Sequence, residues 1–334
     1  MPERAPVPYP MLLEPRYLEK PWGGRRLEGA FGRSLPAGVA VGESWELFDR
    51  PAGSSRIRNG AFKGRAIADL RGHRELPVLL KVLDIRGRFS IQVHPDEAAA
   101  RARGTEAKSE AWVVLEAEPG ARIWRGLRPG VTRAALDEAI AKGAGLEGLL
   151  HSFQPKAGDA IVIPAGTVHA AGGGLLLAEI QQSSETTYRL GDWDRAGEAA
   201  RKLQPAEALE ALRVLPPGPD TVEPREIEDD GNLRRLLLVE SPWFRAEHLT
   251  AAGTATFEGW EGDDTDGDED RWHAMLVLSG SGTVRAFDRR AEPATFVPGD
   301  TLLLPAAHEC YEIEPRNGRP IEALIFREGD GDPV

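Results

Sequence analysis

Short apolar runs, set apart by glycine, proline and charged residues, dominate the chain. Residues 76–84 and 89–94 read as two strands with a turn at Arg86-Gly87-Arg88. Further strands are predicted at 111–115, 121–124, 160–163 and 175–181, and a second strand-rich block from 236 to 327. Strands this short and closely spaced point to a sandwich or barrel. Helical patterns are few. Thr132 is a plausible N-cap for a helix over 132–142, with Ala135, Leu136 and Ile140 at helical spacing and Gly143 as its stop. Pro205 opens a second helix, predicted over 205–215, that runs into Pro216-Pro217-Gly218-Pro219. That proline-rich stretch reads as a linker and places a boundary between about 216 and 232.

One octapeptide is echoed. Gly158-Asp159-Ala160-Ile161-Val162-Ile163-Pro164-Ala165 returns 141 residues later as Gly299-Asp300-Thr301-Leu302-Leu303-Leu304-Pro305-Ala306. That period suggests a duplicated domain rather than a solenoid. Between the copies, residues 261–270 form an acidic run. Its spacing fails as an EF-hand, because Gly262 would fall on the first ligand position if Gly267 took the glycine position. A solvated hairpin tip is the expectation there.

Composition narrows the function classes. The chain has 334 residues, 41% hydrophobic and 28% charged, with 37 Gly and 26 Pro. Its 41 Lys+Arg against 53 Asp+Glu give a net charge of −12 with no basic block, a poor match for a nucleic-acid binder. No apolar run reaches the length of a membrane span, and the single cysteine, Cys310, cannot make an internal disulfide. A reducing, cytoplasmic setting is expected. An anionic small substrate stays open, because a few cations focused in one cleft outweigh a distant acidic surface.

Candidate chemistry lies in three places. Strand alternation over 89–94 puts Phe89, Ile91 and Val93 on one face and Ser90, Gln92 and His94 on the other. Gln92 and His94 then suit a metal site on a sheet, or simply a polar solvent face. In Lys108-Ser109-Glu110-Ala111-Trp112, alternate residues again share a face, so Glu110 could supply an anionic oxygen and Lys108 could sit near an anion; a surface salt bridge would look the same. The third place is Gly158-x5-Pro164-x-Gly166-x2-His169, a buried strand and a tight turn from whose end His169 can point inward.

This last string resembles the second motif of the cupin superfamily. The longer pattern resembles the type I mannose-6-phosphate isomerase family in its shorter bacterial form. It runs through Pro21-Trp22-Gly23-Gly24, Gly42-Glu43-Ser44-Trp45-Glu46, Leu79-Leu80-Lys81-Val82-Leu83-Asp84, Gln92-Val93-His94-Pro95-Asp96, Lys108-Ser109-Glu110, Pro164-Ala165-Gly166-Thr167-Val168-His169 and Glu179-Ile180-Gln181-Gln182 through Thr187-Tyr188-Arg189. Seven segments in family order, over roughly residues 20–195, make a specific signal.

The resemblance implies a mostly β protein of two tandem cupin-like (jelly-roll) barrels with a few short helices. Residues 1–215 would form the metal-bearing catalytic domain, with a helical insertion near 132–150 and a linker helix near 205–215; residues 232–334 would form a second, degenerate barrel. It implies one divalent ion, zinc by preference, held by Gln92, His94, Glu110 and His169, and catalytic roles for Arg189 and Lys108. Trp22, Glu43, Lys81 and Ser90 are the further substrate-binding candidates. An arginine is a poor base at neutral pH, so Arg189 would stabilise an enediolate or touch a phosphate; the alternative is a salt bridge to Asp192 or Asp194. The segment after Arg189, Leu190-Gly191-Asp192-Trp193-Asp194-Arg195, departs from the aromatic-Asp-Tyr-Asp-Arg of relatives. In the second block, Pro305-Ala306-Ala307-His308 lacks the glycine and no Gln-x-His precedes it, so His248, His273, His308 and Glu309 are expected to hold no metal. The implied reaction interconverts mannose 6-phosphate and fructose 6-phosphate, with Glu43, Lys108 and a metal-bound hydroxide as candidate bases. The partner is then a small sugar phosphate, with no nucleic acid and no membrane. Rivals are an isomerase or epimerase of another, or an unphosphorylated, sugar, a non-catalytic sugar-binding cupin, and an iron-dependent cupin dioxygenase.

Overall fold

A computed structural model describes residues 9–70, 76–193, 195, 201–214, 218–258, 272–287, 289, 291–305, 308 and 310–329. The acidic run at 261–270, Asp194 and Glu309 lie outside them. The chain is mostly β with few helices, as the short apolar runs predict. The expected strands at 160–163 and 175–181 appear as Ala160–Ile163 and Leu175–Gln182. The helix Arg133–Lys142 is capped as its sequence dictates: the Thr132 hydroxyl accepts from the Ala135 amide, and Gly143 closes it at φ 62°. The helix at Pro205–Ala211 stops four residues short of expectation. There the Arg213 amide donates to the Gly166 carbonyl, which draws the chain out of the helix. Helices at Arg26–Phe31 and Glu97–Arg103 go beyond the expected set.

Two large and two smaller antiparallel sheets carry the architecture. The first large sheet is ordered Ala160–Ile163, Glu110–Ala117, Leu175–Gln182, Val78–Ile85, Val41–Leu47, Arg16–Gly24. The second is ordered Met11–Leu12, Thr301–Pro305, Trp272–Ser279, Ile321–Glu328, Phe244–Ala251, Leu233–Glu240, Arg225–Asp229. Setting aside Met11–Leu12, the two orders match strand for strand along the chain. The smaller sheets match as well: Leu150–Phe153, Arg122–Leu127, His169–Gly172, Ile91–Val93 and Tyr188–Gly191 in one, Ala294–Phe296, Gly282–Ala286, Cys310–Pro315 and Ala255–Glu258 in the other. The echoed octapeptides occupy equivalent strands, Ala160–Ile163 and Thr301–Pro305. Each sheet is an open ladder, and no closed barrel is found among the described residues, so the expected jelly-roll barrels are matched only as far as facing antiparallel sheets.

Strand alternation sorts the cores. One face of the first large sheet, with Leu83, Trp112, Ile161 and Leu177, packs on the smaller sheet that carries Ile91, Ile123 and Ala170. The opposite face, with Leu80, Val82, Val113 and Ala178, packs on Ala246, Ala274, Leu324 and Phe326 of the second large sheet. Each fully buried side chain of this kind contributes roughly 1.5–3 kcal/mol relative to exposure.

A polar contact crosses this apolar seam. Glu46 is 1% exposed. Its carboxylate takes Arg33 Nη1 at 2.6 Å and Nη2 at 3.0 Å, the Ser44 hydroxyl at 2.6 Å and the Thr301 hydroxyl at 2.8 Å. Arg33 also donates to the Gly299 carbonyl. Breaking such a pair from one side strands the other charge. Glu46→Ala is expected to destabilise by about 3–5 kcal/mol in urea unfolding, whereas the double replacement Arg33→Met/Glu46→Leu costs far less than the two single changes summed. Equal costs for single and double variants would show that the pair is exposed to water.

Candidate metal centre

Pairing brings the candidate ligands together. Gln92 lies opposite both His169 and Arg189 on neighbouring strands of the smaller sheet. Glu110 opens its strand in the large sheet, between Ile163 and Gln181. The turn before His169 is stitched to the other ligand segments: the Gly166 amide donates to the His94 carbonyl at 2.8 Å, and the Ala165 amide to the Ser109 hydroxyl at 3.1 Å. Gly166 sits at φ +85°, where a Cβ would come within 2.5 Å of Arg213 Cγ. That turn therefore needs glycine twice over, for its backbone and for its close approach.

His94, Glu110 and His169 are buried, and one donor atom from each lies within 4.8 Å of the others. The tautomers are set from behind. His94 Nδ1 is 2.8 Å from the Thr186 carbonyl and His169 Nδ1 is 2.9 Å from the Thr167 carbonyl. A carbonyl only accepts, so Nδ1 carries the proton in both rings and each Nε2 lone pair faces the centre. Burial, reinforced by the Lys108 ammonium, pushes His94 down to about 3. Burial likewise lowers His169, so both rings are neutral at neutral pH. Burial works to raise the Glu110 carboxyl, but Lys108, with Nζ 2.8 Å from Oε2, overrides it and keeps the group ionised.

These residues fit a divalent ion. His94 Nε2 and both Glu110 oxygens are buried with no aligned hydrogen bond, a costly arrangement that a cation relieves. Gln92 Nε2 stands 3.1 Å from His169 Nε2, while its Oε1 accepts from Ser90 at 2.9 Å. Turning the amide over brings Oε1 to the centre and lets Nε2 donate to the Ser90 hydroxyl. Ser90 is fully buried and supports Gln92 from behind. Ser90→Ala is therefore expected to weaken metal affinity by about 10–100-fold, read by chelator competition, with the fold intact. Unchanged affinity would sever Ser90 from the centre.

The centre opens into a cavity of about 350 Å³ lined by Trp22, Glu43, Lys81, Gln92, Lys108 and Arg189 among others. A larger cavity of about 450 Å³ lies between the two large sheets, but leucines, valines and Phe31 line most of it and no donor set converges there. Trp22 packs edge-on against Phe89 at 6.0 Å, forming an apolar wall. Glu43 is tied by Lys20 at 2.8 Å and by the Trp45 indole at 2.8 Å. Burial would raise its carboxyl, yet Lys81 and Lys20 hold it down at about 2. Lys81 is committed to Glu179 at 3.1 Å and Gln181 at 2.7 Å, and Glu179 also takes the Trp112 indole at 3.0 Å. Arg189 makes no ion pair among the described residues, and the Asp192 carboxylate its sequence context offered is taken by Arg195 and Arg201 instead; Asp194 lies outside the described residues. Glu179 and Arg201 were not among the residues singled out from sequence, and Asp192 was singled out only as a possible partner of Arg189. Glu179 stood inside a quoted motif, whereas Arg201, twelve residues beyond Arg189, carried no local signal.

The duplicated topology gives the second half an equivalent position. Ile163 pairs with Glu110, and the echoed Leu304 pairs with His273. Glu110 pairs onward with Gln181, and His273 with Arg327. At this level the second half therefore offers a histidine beside an arginine where the first offers a carboxylate beside an amide.

Residues 11–112 match the family model for the catalytic domain of type I phosphomannose isomerase. A mannose-6-phosphate isomerase of Streptococcus mutans is 32% identical over 91% of this chain and 95% of its own. The ManA mannose-6-phosphate isomerase of Bacillus subtilis is 34% identical over 91% of this chain and 96% of its own. The crystal structure of a Bacillus subtilis mannose 6-phosphate isomerase superimposes with a TM-score of 0.82 at 29% identity, covering 96% of this chain and 99% of that one. With its buried His–Glu–His cluster and a likeness that runs nearly end to end, the chain belongs to the type I mannose-6-phosphate isomerase family of enzymes.

Proposed function

We propose that the protein is a metal-dependent aldose–ketose isomerase that interconverts mannose 6-phosphate and fructose 6-phosphate at the His94–Glu110–His169 centre. The observation that carries this reading is a buried donor set, lone pairs inward, opening onto a cation-lined cavity in a chain of this family. Gln92, His94, Glu110 and His169 would hold the ion. Two imidazoles, one carboxylate and an amide oxygen suit zinc. When bound, the ion supplies Lewis-acid polarisation of sugar oxygens.

The sugar must open first, because only the open chain has an acidic proton beside a carbonyl. That proton then moves between C2 and C1 through an enediol(ate). Arg189 faces the cavity next to Gln92 with no ion pair among the described residues, so its charge is available to the developing oxyanion. Lys108 reaches the donor set and can hold or deliver a proton at a sugar oxygen. Glu43, ionised down to about pH 2 and bound by Lys20, is a poor proton acceptor and serves as a fixed wall. Lys81, spent on Glu179 and Gln181, shapes the floor, and Trp22 keeps water off one side.

The same reading takes the chain as two domains of the cupin type, 1–215 bearing the chemistry and 232–334 supporting it. The matched strand orders support a duplication, with Met11–Leu12 lent to the second sheet.

A coupled assay on mannose 6-phosphate, before and after chelation, tests the function. Activity should vanish with the chelator and return with zinc. A zinc-loaded protein that leaves mannose 6-phosphate unchanged would discard the substrate and keep the centre.

A further inference from the structure

A third cavity, of about 410 Å³, backs onto the turn that carries His169. Pockets for small ligands run from about 300 to 1,000 Å³, so its size is sufficient for one. Arg125, Leu127, Pro129, Thr167, Val214 and Asp220 are among its walls, and none of them lines the cavity at the metal centre. Thr167 stands between the two. Its carbonyl holds His169 Nδ1 at 2.9 Å, while the residue itself lines this third cavity.

Two donors in these walls have nothing to bind. Thr167 is 5% exposed, and its hydroxyl is buried with no hydrogen-bond partner. A hydroxyl left so is costly, and an acceptor from a ligand relieves it. Arg125 is half-buried. Its Nε donates to the Val162 carbonyl at 2.8 Å and its Nη1 to the Pro219 carbonyl at 3.0 Å. Nη2 makes no hydrogen bond among the described residues, and a Cβ added at Gly218, another wall residue, would lie 3.9 Å from it. Arg125 also has no ion pair among the described residues. The other charged walls are matched: Arg213 meets Asp96 at 2.9 Å, and Asp220 meets His151 at 2.6 Å. The sequence between Val214 and Gly218, Leu215-Pro216-Pro217, brings no charge. One guanidinium is therefore left to be answered.

Much of the remaining wall is apolar, with Leu127, Pro129, Val214 and Pro219. Val214 is 77% exposed, a surface that an apolar ligand body would cover. We infer that this cavity binds a small organic monocarboxylate with an apolar body, one oxygen on Arg125 Nη2, the other on the Thr167 hydroxyl, and the body against Leu127, Pro129 and Val214. Two donors match two carboxylate oxygens, and the bond from a guanidinium is charge-assisted. One negative charge matches one unanswered cation. A phosphate dianion would bring a second charge toward Asp220 with no cation to receive it. Neither the metal nor the sugar takes part.

The experiment uses the zinc-loaded full chain, with labelled benzoate as probe in equilibrium dialysis and benzyl alcohol as its neutral counterpart. Benzoate should saturate at one per chain, and benzyl alcohol should bind at least about tenfold more weakly. Arg125→Gln should weaken benzoate about tenfold to a hundredfold, with zinc content unchanged. Arg125→Lys keeps the charge but loses the planar fork, and should fall between. Thr167→Val keeps the shape and removes an unpaired hydroxyl. It should weaken benzoate about twofold to tenfold, while the melting temperature of the benzoate-free protein holds or rises. That variant decides the matter if Arg125→Gln folds poorly. Absence of saturable benzoate binding, equal affinity for benzyl alcohol, or wild-type affinity in either Arg125→Gln or Thr167→Val would overturn the inference. Benzoate sitting on the zinc instead would bind both variants as it binds wild type, and so gives the overturning result.

Discussion

His169→Ala is expected to leave the protein folded but without stoichiometric metal after dialysis, and without measurable isomerase activity. His169 supplies one of three clustered donors, and its Nδ1 is already fixed by the Thr167 carbonyl, so no neighbouring group can swing into its place. Losing a group that merely supports a ligand costs about 10–100-fold in affinity, and losing a ligand itself should exceed that. The hole left by the ring is flanked by Phe89 and Trp112, whose rings lie 6.2 and 5.7 Å from it, so some loss of melting temperature comes with the change. His169→Gln fills the space and keeps a weak donor. It separates the two effects, since stability should recover further than metal content. Metal analysis and chelator competition read the outcome directly. Full zinc content in His169→Ala would remove the centre from this position.

Arg189→Ala should do the opposite: zinc content unchanged, catalysis lost. Burial and the nearby Arg201 both lower the affinity of Arg189 for its proton, yet with a starting value above about 12 it remains a cation. A cation with no ion pair among the described residues, placed beside Gln92, is poised for charge that appears only during reaction. Removing one such group typically costs about 10²–10³ in rate. The loss should fall on kcat as well as KM. Arg189→Lys should recover only part of the rate, since an ammonium cannot present two parallel N–H groups. Wild-type turnover in Arg189→Ala would leave Arg189 a structural role alone.

Much of the centre could be read from local pattern. Alternation over 89–94 was enough to put Gln92 and His94 side by side, and the turn after 158–163 was enough to aim His169. Glu110 was legible as a strand residue, but its meeting with His169 depends on the Ile163 pairing, which no local spacing records. The helix at 132–142 was legible to the residue because both of its caps are local chemistry. The 205–215 helix was overrun because its end is set by Gly166, nearly fifty residues upstream. Arg201 was invisible for the same reason, and Asp192 was legible only as a possible partner of Arg189. A charge hub depends on which loops share a corner, and periodicity is silent on that. The octapeptide echo hinted at duplication, yet the match of four sheet orders is a property of non-local pairing. Strand length left sandwich and barrel both open, because it does not determine whether edges meet.

The seam contact has a consequence for biosynthesis. Glu46 and Thr301 are 255 positions apart, and Met11–Leu12 pairs with the same late strand. While the chain emerges from the ribosome, the chemistry-bearing half is complete in sequence well before residue 301 appears. Until then Glu46 and Arg33 have each other and Ser44 but neither Thr301 nor the Gly299 carbonyl, and the apolar face behind Val41–Leu47 lacks its cover. That same strand carries Glu43, a wall of the reaction cavity. A nascent first half folded on its own would leave that apolar face exposed until the late strands are made. The sheet that holds Glu110 and Glu43 is thus backed only when the strand Thr301–Pro305, far later in the chain, has been made.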